Sequence, residues 1–151
     1  MTNHSERAVS LFKEGYNCAQ SVFAAYCDDL HMNLDTALKL SSSFGGGMGR
    51  LREVCGAVSG MFMVVGLLYG YSEPDPKAKS EHCKIVQELA KRFREQNGSI
   101  VCRELLKLDH KSDGPVPEAR TETYYKTRPC VEFVENAVKI LDEYIAEKSA
   151  A

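Results

Sequence analysis

Four of the six cysteines in this chain, Cys18, Cys55, Cys102 and Cys130, stand where the sequence signals the start of a helix. A helix N-terminus carries about half a positive charge on its unpaired N–H groups, which favours a thiolate over a thiol. One such placement is commonplace. Four form a pattern that suits ionised sulfur, metal binding or electron exchange. The four are widely separated along the chain, and no C-x-x-C pair occurs. They can therefore act together only if four separate helix ends converge, and that requirement restricts the fold. A helical bundle meets it, because antiparallel neighbours bring alternate N-termini to one end. The same spacing excludes a thioredoxin-type dithiol, a C-x-x-C-H haem attachment and the closely paired ligands of zinc ribbons and fingers.

The remaining pattern is helical throughout. Ser5 is the expected cap of a first helix with Ala8, Val9, Leu11 and Phe12 on its apolar face, ending at Gly15. Asn17 and Gln20 make a capping-box pattern with Cys18 in the first turn. That second helix is expected to reach about Leu30, with Val22, Phe23 and Tyr26 facing inward. Asp35 is the expected cap of a shorter helix from Thr36 to about Ser43.

After the glycine-rich segment Phe44–Arg50, an apolar helix is expected from about Arg52 to Tyr69. It lies in the longest uncharged stretch, Val54 to Tyr71, which contains four glycines and is short for a membrane span. Pro76 suits the first turn of a long helix reaching Gln96, striped by Ile85, Val86, Leu89, Ala90 and Phe93 and stopped by Gly98. Ser99 is the expected cap of a short helix that places Cys102 three residues in. Leu108 to Thr127, with Gly114, Pro115, Pro117 and few aliphatics, reads as a long loop. Pro129 opens a last helix with Val131, Val134, Val138, Leu141 and Ile145 on one face. No segment alternates with period two. The expected fold is all-α: one helical bundle across residues 1–151, with about five to six helices and one long loop.

Composition narrows the function. Hydrophobic residues at 44% and charged residues at 26% suit a globular protein, and a net charge of −2 with mixed signs disfavours nucleic-acid or anionic-membrane surfaces. The N-terminal run Met-Thr-Asn-His-Ser-Glu-Arg lacks the apolar core of a signal peptide, so the expected compartment is the cytoplasm. There, structural disulfides are unusual and clustered cysteines point to metal or redox chemistry.

Cys27, inside an apolar run, and Cys83, mid-helix at the edge of an apolar stripe, read as core packing. His82 beside Cys83 reads as a solvated side chain, and His4, His31 and His110 show no ligand spacing. Arg50 and Arg52 before Cys55, Arg103 after Cys102, and Lys126 and Arg128 before Cys130 make these helix starts electropositive. The segment Gly45, Gly46, Gly47, Gly49 and Arg50 is neither a Walker A loop nor a dinucleotide fingerprint. It is either a tight connection or a nest of N–H groups facing an anion such as a thiolate centre. The Gly56–Gly60 face can pack on a second copy of the chain as readily as within it.

The segments Gly15-Tyr16-Asn17-Cys18-Ala19-Gln20, Phe44–Arg50 and Cys55-Gly56-Ala57-Val58-Ser59-Gly60, followed by Cys102 and Cys130, together resemble the C_GCAxxG_C_C family. The resemblance runs from about residue 8 to 145, with Val54 in place of the glycine that the family name puts before its second cysteine. It implies a redox-active protein with signature cysteines at Cys18, Cys55, Cys102 and Cys130. The family is similar to a domain of split-Soret cytochromes c whose cysteines bind an iron–sulfur cluster; haem is not implied here. Three readings follow. The cysteines hold an iron–sulfur cluster for electron transfer or sensing with a redox partner, they cycle as thiols and disulfides without metal, or they form a structural zinc site or interaction module. No acid–base pair or nucleophilic triad supports a hydrolase or transferase.

Overall fold

A computed structural model describes residues 3–151 of the chain; Met1 and Thr2, which open the polar N-terminal run, lie outside it. Helix α1 (His4–Lys13) starts two residues earlier than a Ser5 cap would set it. The Asn3 side chain accepts the Glu6 N–H at 3.0 Å, while the Ser5 hydroxyl is buried without a hydrogen-bond partner. Helix α2 (Cys18–Ala24) carries the expected capping box: Gln20 N–H donates to Asn17 at 2.9 Å and Asn17 N–H donates to Gln20 at 3.0 Å. It stops well short of Leu30. The Tyr26 and Cys27 N–H groups turn to carbonyls three residues back, and tight turns continue to His31. Asn33 rather than Asp35 caps α3 (Leu34–Ser41), because its side chain reaches the Thr36 N–H at 3.1 Å.

A 3₁₀ turn over Ser42–Phe44 leads into α4 (Gly45–Met48), a single turn whose Gly46 and Gly47 are left-handed at φ 67° and 70°. Positive φ continues through Met48, Gly49 and Arg50 and returns at Arg52. Helix α5 (Gly56–Tyr69) therefore begins four residues later than periodicity suggested. Just before it, Val54 pairs with Val101 in an isolated antiparallel bridge. Helix α6 (Pro76–Asn97) opens on its proline and closes at Gly98, φ 100°, as expected.

Helix α7 (Cys102–Leu105) begins at Cys102 itself. Ser99 caps nothing there: its hydroxyl accepts the Val101 N–H and donates to the Glu104 carboxylate. The long loop is shorter than expected, because Thr121 caps α8 (Glu122–Thr127). Helix α9 (Cys130–Ala150) completes the chain. The helices of seven residues or more are α1, α2, α3, α5, α6 and α9, matching the expected five to six; the others are a turn or two each. Among the described residues there is no strand beyond that bridge, and no helix is long and apolar enough to cross a membrane.

Helix α5 lies at the centre, against α2, α6 and α9. Its Val58, Met61, Val64 and Val65 are fully buried beside Val22 and Phe23 of α2, Leu89 and Phe93 of α6, and Val134, Val138 and Leu141 of α9. The small residues at its start face α2 within the chain. A Cβ built on Gly60 would stand 2.9 Å from the Val22 Cβ and 3.0 Å from the Ala19 carbonyl oxygen. At the far side, Tyr26 donates to Asp142 at 2.7 Å, and His4 stacks on its ring while bonding both Asp142 and Asp29. Burial, reinforced by the Asp142 carboxylate, holds the Tyr26 phenol protonated far above the ordinary tyrosine range.

Two side chains depart from expectation. Cys27 is buried as expected, with Arg7 donating to its sulfur at 3.3 Å, but Cys83 is exposed: it lies on the same side of α6 as Ala90, seven residues on, and α6 has buried residues only from Leu89 onward, so its first half does not enter the core. His82 is only partly solvated: it packs edge-on against Tyr71 and its Nδ1 is buried.

The α2–α5 contact has no room for a methyl group. Gly60→Ala is expected to cost about 1–3 kcal/mol through overpacking, lowering Tm by about 2–4 °C per kcal/mol, as read by urea and thermal unfolding.

Candidate functional site

The structure brings the four candidate cysteines to one cavity of about 310 Å³. Cys18, Cys102 and Cys130 are the first residues of α2, α7 and α9, and Cys55 is the N-cap of α5. Cys55, Cys102 and Cys130 are buried and Cys18 is partly exposed; all six thiols of the chain are free. Cys27 and Cys83 are not among the lining residues.

A ladder of backbone bonds sets the positions. Arg52 and Glu53 N–H groups donate back to Gly46 and Gly47 carbonyls at 3.2 and 2.9 Å, folding the segment after the glycines onto them. The next rungs cross to the other side: Cys102 N–H donates to Glu53 at 2.6 Å, and Cys55 N–H donates to Ile100 at 2.8 Å. Two cysteines distant in sequence thus flank one two-residue bridge. Gly47 is where this ladder meets the cavity. Its φ is left-handed, and a Cβ there would lie 2.7 Å from both the Arg52 Cα and the Cys102 Cβ. On the α2 side, a Cβ on Gly56 would stand 3.1 Å from the Cys18 Cβ. Bare backbone at these two points lets Cys18, Cys55 and Cys102 approach one another.

Cys130 arrives on a separate segment. Arg120 fastens that segment to α1, donating to the Phe12 and Tyr16 carbonyls at 2.7 and 2.9 Å with its guanidinium 4.0 Å from the Phe12 ring centroid. Tyr124 of α8, inside the span expected to be loop, lines the same cavity as Cys130, and its hydroxyl favours the Cys130 thiolate. Arg128 pairs with Glu118 and adds its charge near Cys130. The cavity wall includes Gly45, Gly46, Gly47, Gly49, Arg50, Arg52, Arg120 and Arg128. Arg50 serves the loop, its Nε donating to the Gly114 carbonyl at 2.7 Å.

Among the arginines of the cavity wall, Arg52 is hydrogen-bonded to sulfur. It is 5% exposed, its Nη1 lies 3.6 Å from the Cys102 Sγ, and its Nε donates to Asp113 at 2.7 Å. Sequence proximity suggested that it acts on Cys55. The left-handed backbone at Arg52 and the Val54–Val101 bridge direct it to Cys102 instead. Glu53, the neighbour expected to oppose ionisation of Cys55, turns outward to Arg103.

Helix starts alone would lower all four thiol pKa values. Only one is lowered. Burial pushes Cys55 up to about 12, although the Ala57 and Val58 N–H groups at the start of α5 oppose it. Burial also raises Cys102, whose helix is a single turn, against the pull of Arg52. Cys18 and Cys130 act on each other in opposite directions: Cys18 is raised by Cys130 and by burial, while Cys130 falls to about 7 through Cys18, the Tyr124 hydroxyl and the Arg128 and Arg52 charges.

In the reduced, metal-free protein, ultraviolet thiolate absorbance is therefore expected to rise by one thiolate around pH 7, with Cys55 silent below about pH 9. Tyr124→Phe and Arg128→Gln each remove a group that favours the thiolate. Each should shift that first step upward by roughly one pH unit, tenfold in thiolate fraction on its acid side.

Residues 16–144 match the family described as "Putative redox-active protein (C_GCAxxG_C_C)". A protein of Archaeoglobus fulgidus, described there as uncharacterized, is 26% identical over 142 residues, covering 89% of this chain and 87% of that protein. No solved structure matches the chain significantly. The family match spans most of the chain and includes all four cavity cysteines, and on that ground the chain belongs to the C_GCAxxG_C_C family.

Proposed function

We propose that the four convergent cysteines hold an iron–sulfur cluster, making the protein an electron carrier or redox sensor. The observation that carries this reading is the lining of one cavity by Cys18, Cys55, Cys102 and Cys130 from four separate helix starts. Four thiolates are the usual ligand set for such clusters. The chemistry of the donors and a cavity of about 310 Å³ fit a group larger than one ion. Among the described residues, no three His, Cys, Asp or Glu side chains are arranged to hold a single metal ion, which weighs against structural zinc.

Bound there, a cluster supplies reversible one-electron transfer. The chain's own residues supply the rest. Cys18, Cys55, Cys102 and Cys130 are the ligands. Arg52 and Arg128 would offset part of their negative charge, and the helix starts at Cys18, Cys55 and Cys130 would add their positive ends. Phe12, Leu105 and Phe133 restrict water on the inner side of the cavity, which would help set the potential.

One observation favours a second reading. Cys18 and Cys130 line the same cavity, each is the largest influence on the other's ionisation, and Cys130 is lowered to about 7, as an exchanging dithiol requires. In that reading two thiols lose two electrons and two protons to an external disulfide and form a Cys18–Cys130 bond.

Anaerobic purification with visible spectroscopy and iron and sulfide analysis separates the two. The cluster predicts a coloured protein with stoichiometric iron and sulfide, lost on Cys→Ser change at 18, 55, 102 or 130 and retained in Cys27→Ser and Cys83→Ser. A colourless, iron-free protein whose free-thiol count falls by two on mild oxidation would instead establish the dithiol.

A further inference from the structure

Arg52 has a second side, facing away from the cysteines. Its Nε donates to Asp113 Oδ2 at 2.7 Å, the other oxygen of Asp113 lies 2.8 Å from His110 Nε2, and His110 Nδ1 lies 3.0 Å from Asp109. A continuous polar chain thus runs from the Cys102 sulfur through Arg52 and Asp113 to a surface imidazole that is 43% exposed. We propose that His110 is a redox-linked proton site, coupled to the cysteine centre through Asp113 and Arg52. This coupling rests on the redox reading above and adds to it a named group that takes up the proton.

The physical basis is the double carboxylate contact. A neutral imidazole has one N–H, so it can donate to only one of Asp109 and Asp113; the protonated ring donates to both. Asp109 first, then Asp113, raise the pKa of His110 above its ordinary value, while each carboxylate is held below the usual range: Asp109 by His110, Asp113 by Arg52 first and His110 next. Asp109 and Asp113 from its own loop, with Arg52 behind Asp113, are the charges that face the imidazole.

An electron arriving from an external low-potential donor adds negative charge beside Arg52. The guanidinium is then drawn more strongly toward sulfur and neutralises Asp113 less. Asp113 becomes a better partner for a charged imidazole, and His110 binds a solvent proton more tightly in the reduced protein. The sign follows: between the His110 pKa of the oxidised form and the higher one of the reduced form, reduction takes up a proton. The midpoint potential falls as pH rises through that window and gains nothing from His110 outside it. Because His110 touches neither the sulfurs nor their backbone, it is a positioning residue for charge.

Two measurements on the anaerobically prepared full chain test this, with dithionite as reductant. The midpoint potential of the wild type should fall with pH across a window above about 6.5, and His110→Gln and Asp113→Asn should each remove that segment. By NMR, the wild-type histidine signal missing in His110→Gln should titrate about half to one pH unit higher in the reduced form, a three- to tenfold gain in proton affinity. An equal titration midpoint in both redox states, or a His110→Gln pH profile matching the wild type, overturns the coupling and leaves the redox centre standing. A protein with no reversible redox transition overturns both.

Discussion

The closeness of α5 to α2 is the constraint on which the cysteine end of the molecule depends. Gly56 and Gly60 lie on one side of α5, and the backbone and side chains of Ala19 and Val22 occupy the space that larger residues would need. That contact sets two helix N-termini side by side, Cys18 on one and Cys55 on the other. The glycine turn extends the same principle, since Gly47 lies against the Cys102 Cβ. Three of the four thiols are placed by the absence of side chains, and the arginines then act on an arrangement already made.

Within that arrangement, burial and positive charge oppose each other. The partial charge of a helix end is small against the cost of ionising sulfur out of water with other sulfurs nearby. The structure accordingly keeps Cys18, Cys55 and Cys102 as poor thiolates and concentrates its cations around Cys102 and Cys130. A centre that spreads the charge of its thiolates over metal and sulfide would relieve the conflict, whereas four bare thiolates would intensify it. The same logic explains why the Arg52 guanidinium is shared between a sulfur and Asp113.

Local signals in the sequence were good guides to where helices start when the cap lies beside the helix. Asn17 with Gln20, Pro76 and Gly98 behave as their chemistry dictates, whereas Ser5 and Asp35 yield the cap to the neighbouring Asn3 and Asn33. The all-α class and the selection of four cysteines from six followed from such signals together with spacing. What was not legible depended on distant partners. Cys102 begins its own helix because residues 52–54 pair with residues 100–103, and no cap near Ser99 reports that. Tyr124 was hidden by the proline- and glycine-rich composition around it, although Thr121 three residues earlier was an available cap signal. The outward turn of Cys83 and the direction of Arg52 likewise follow from packing and from left-handed backbone, neither of which leaves a periodic trace.

The attachment of Cys130 has a consequence for how the molecule is assembled. Cys18, Cys55 and Cys102 belong to the first two-thirds of the chain and are joined by glycine contacts and a short backbone ladder. Cys130 opens the last helix, and it reaches the cavity on a segment anchored to α1 by Arg120. During synthesis the first three thiols emerge well before the fourth, and a ribosome-bound chain without α9 carries an incomplete set. Completion of the centre therefore reports that the C-terminal helix has docked, so loading of any cofactor that needs all four sulfurs doubles as a check on the finished fold.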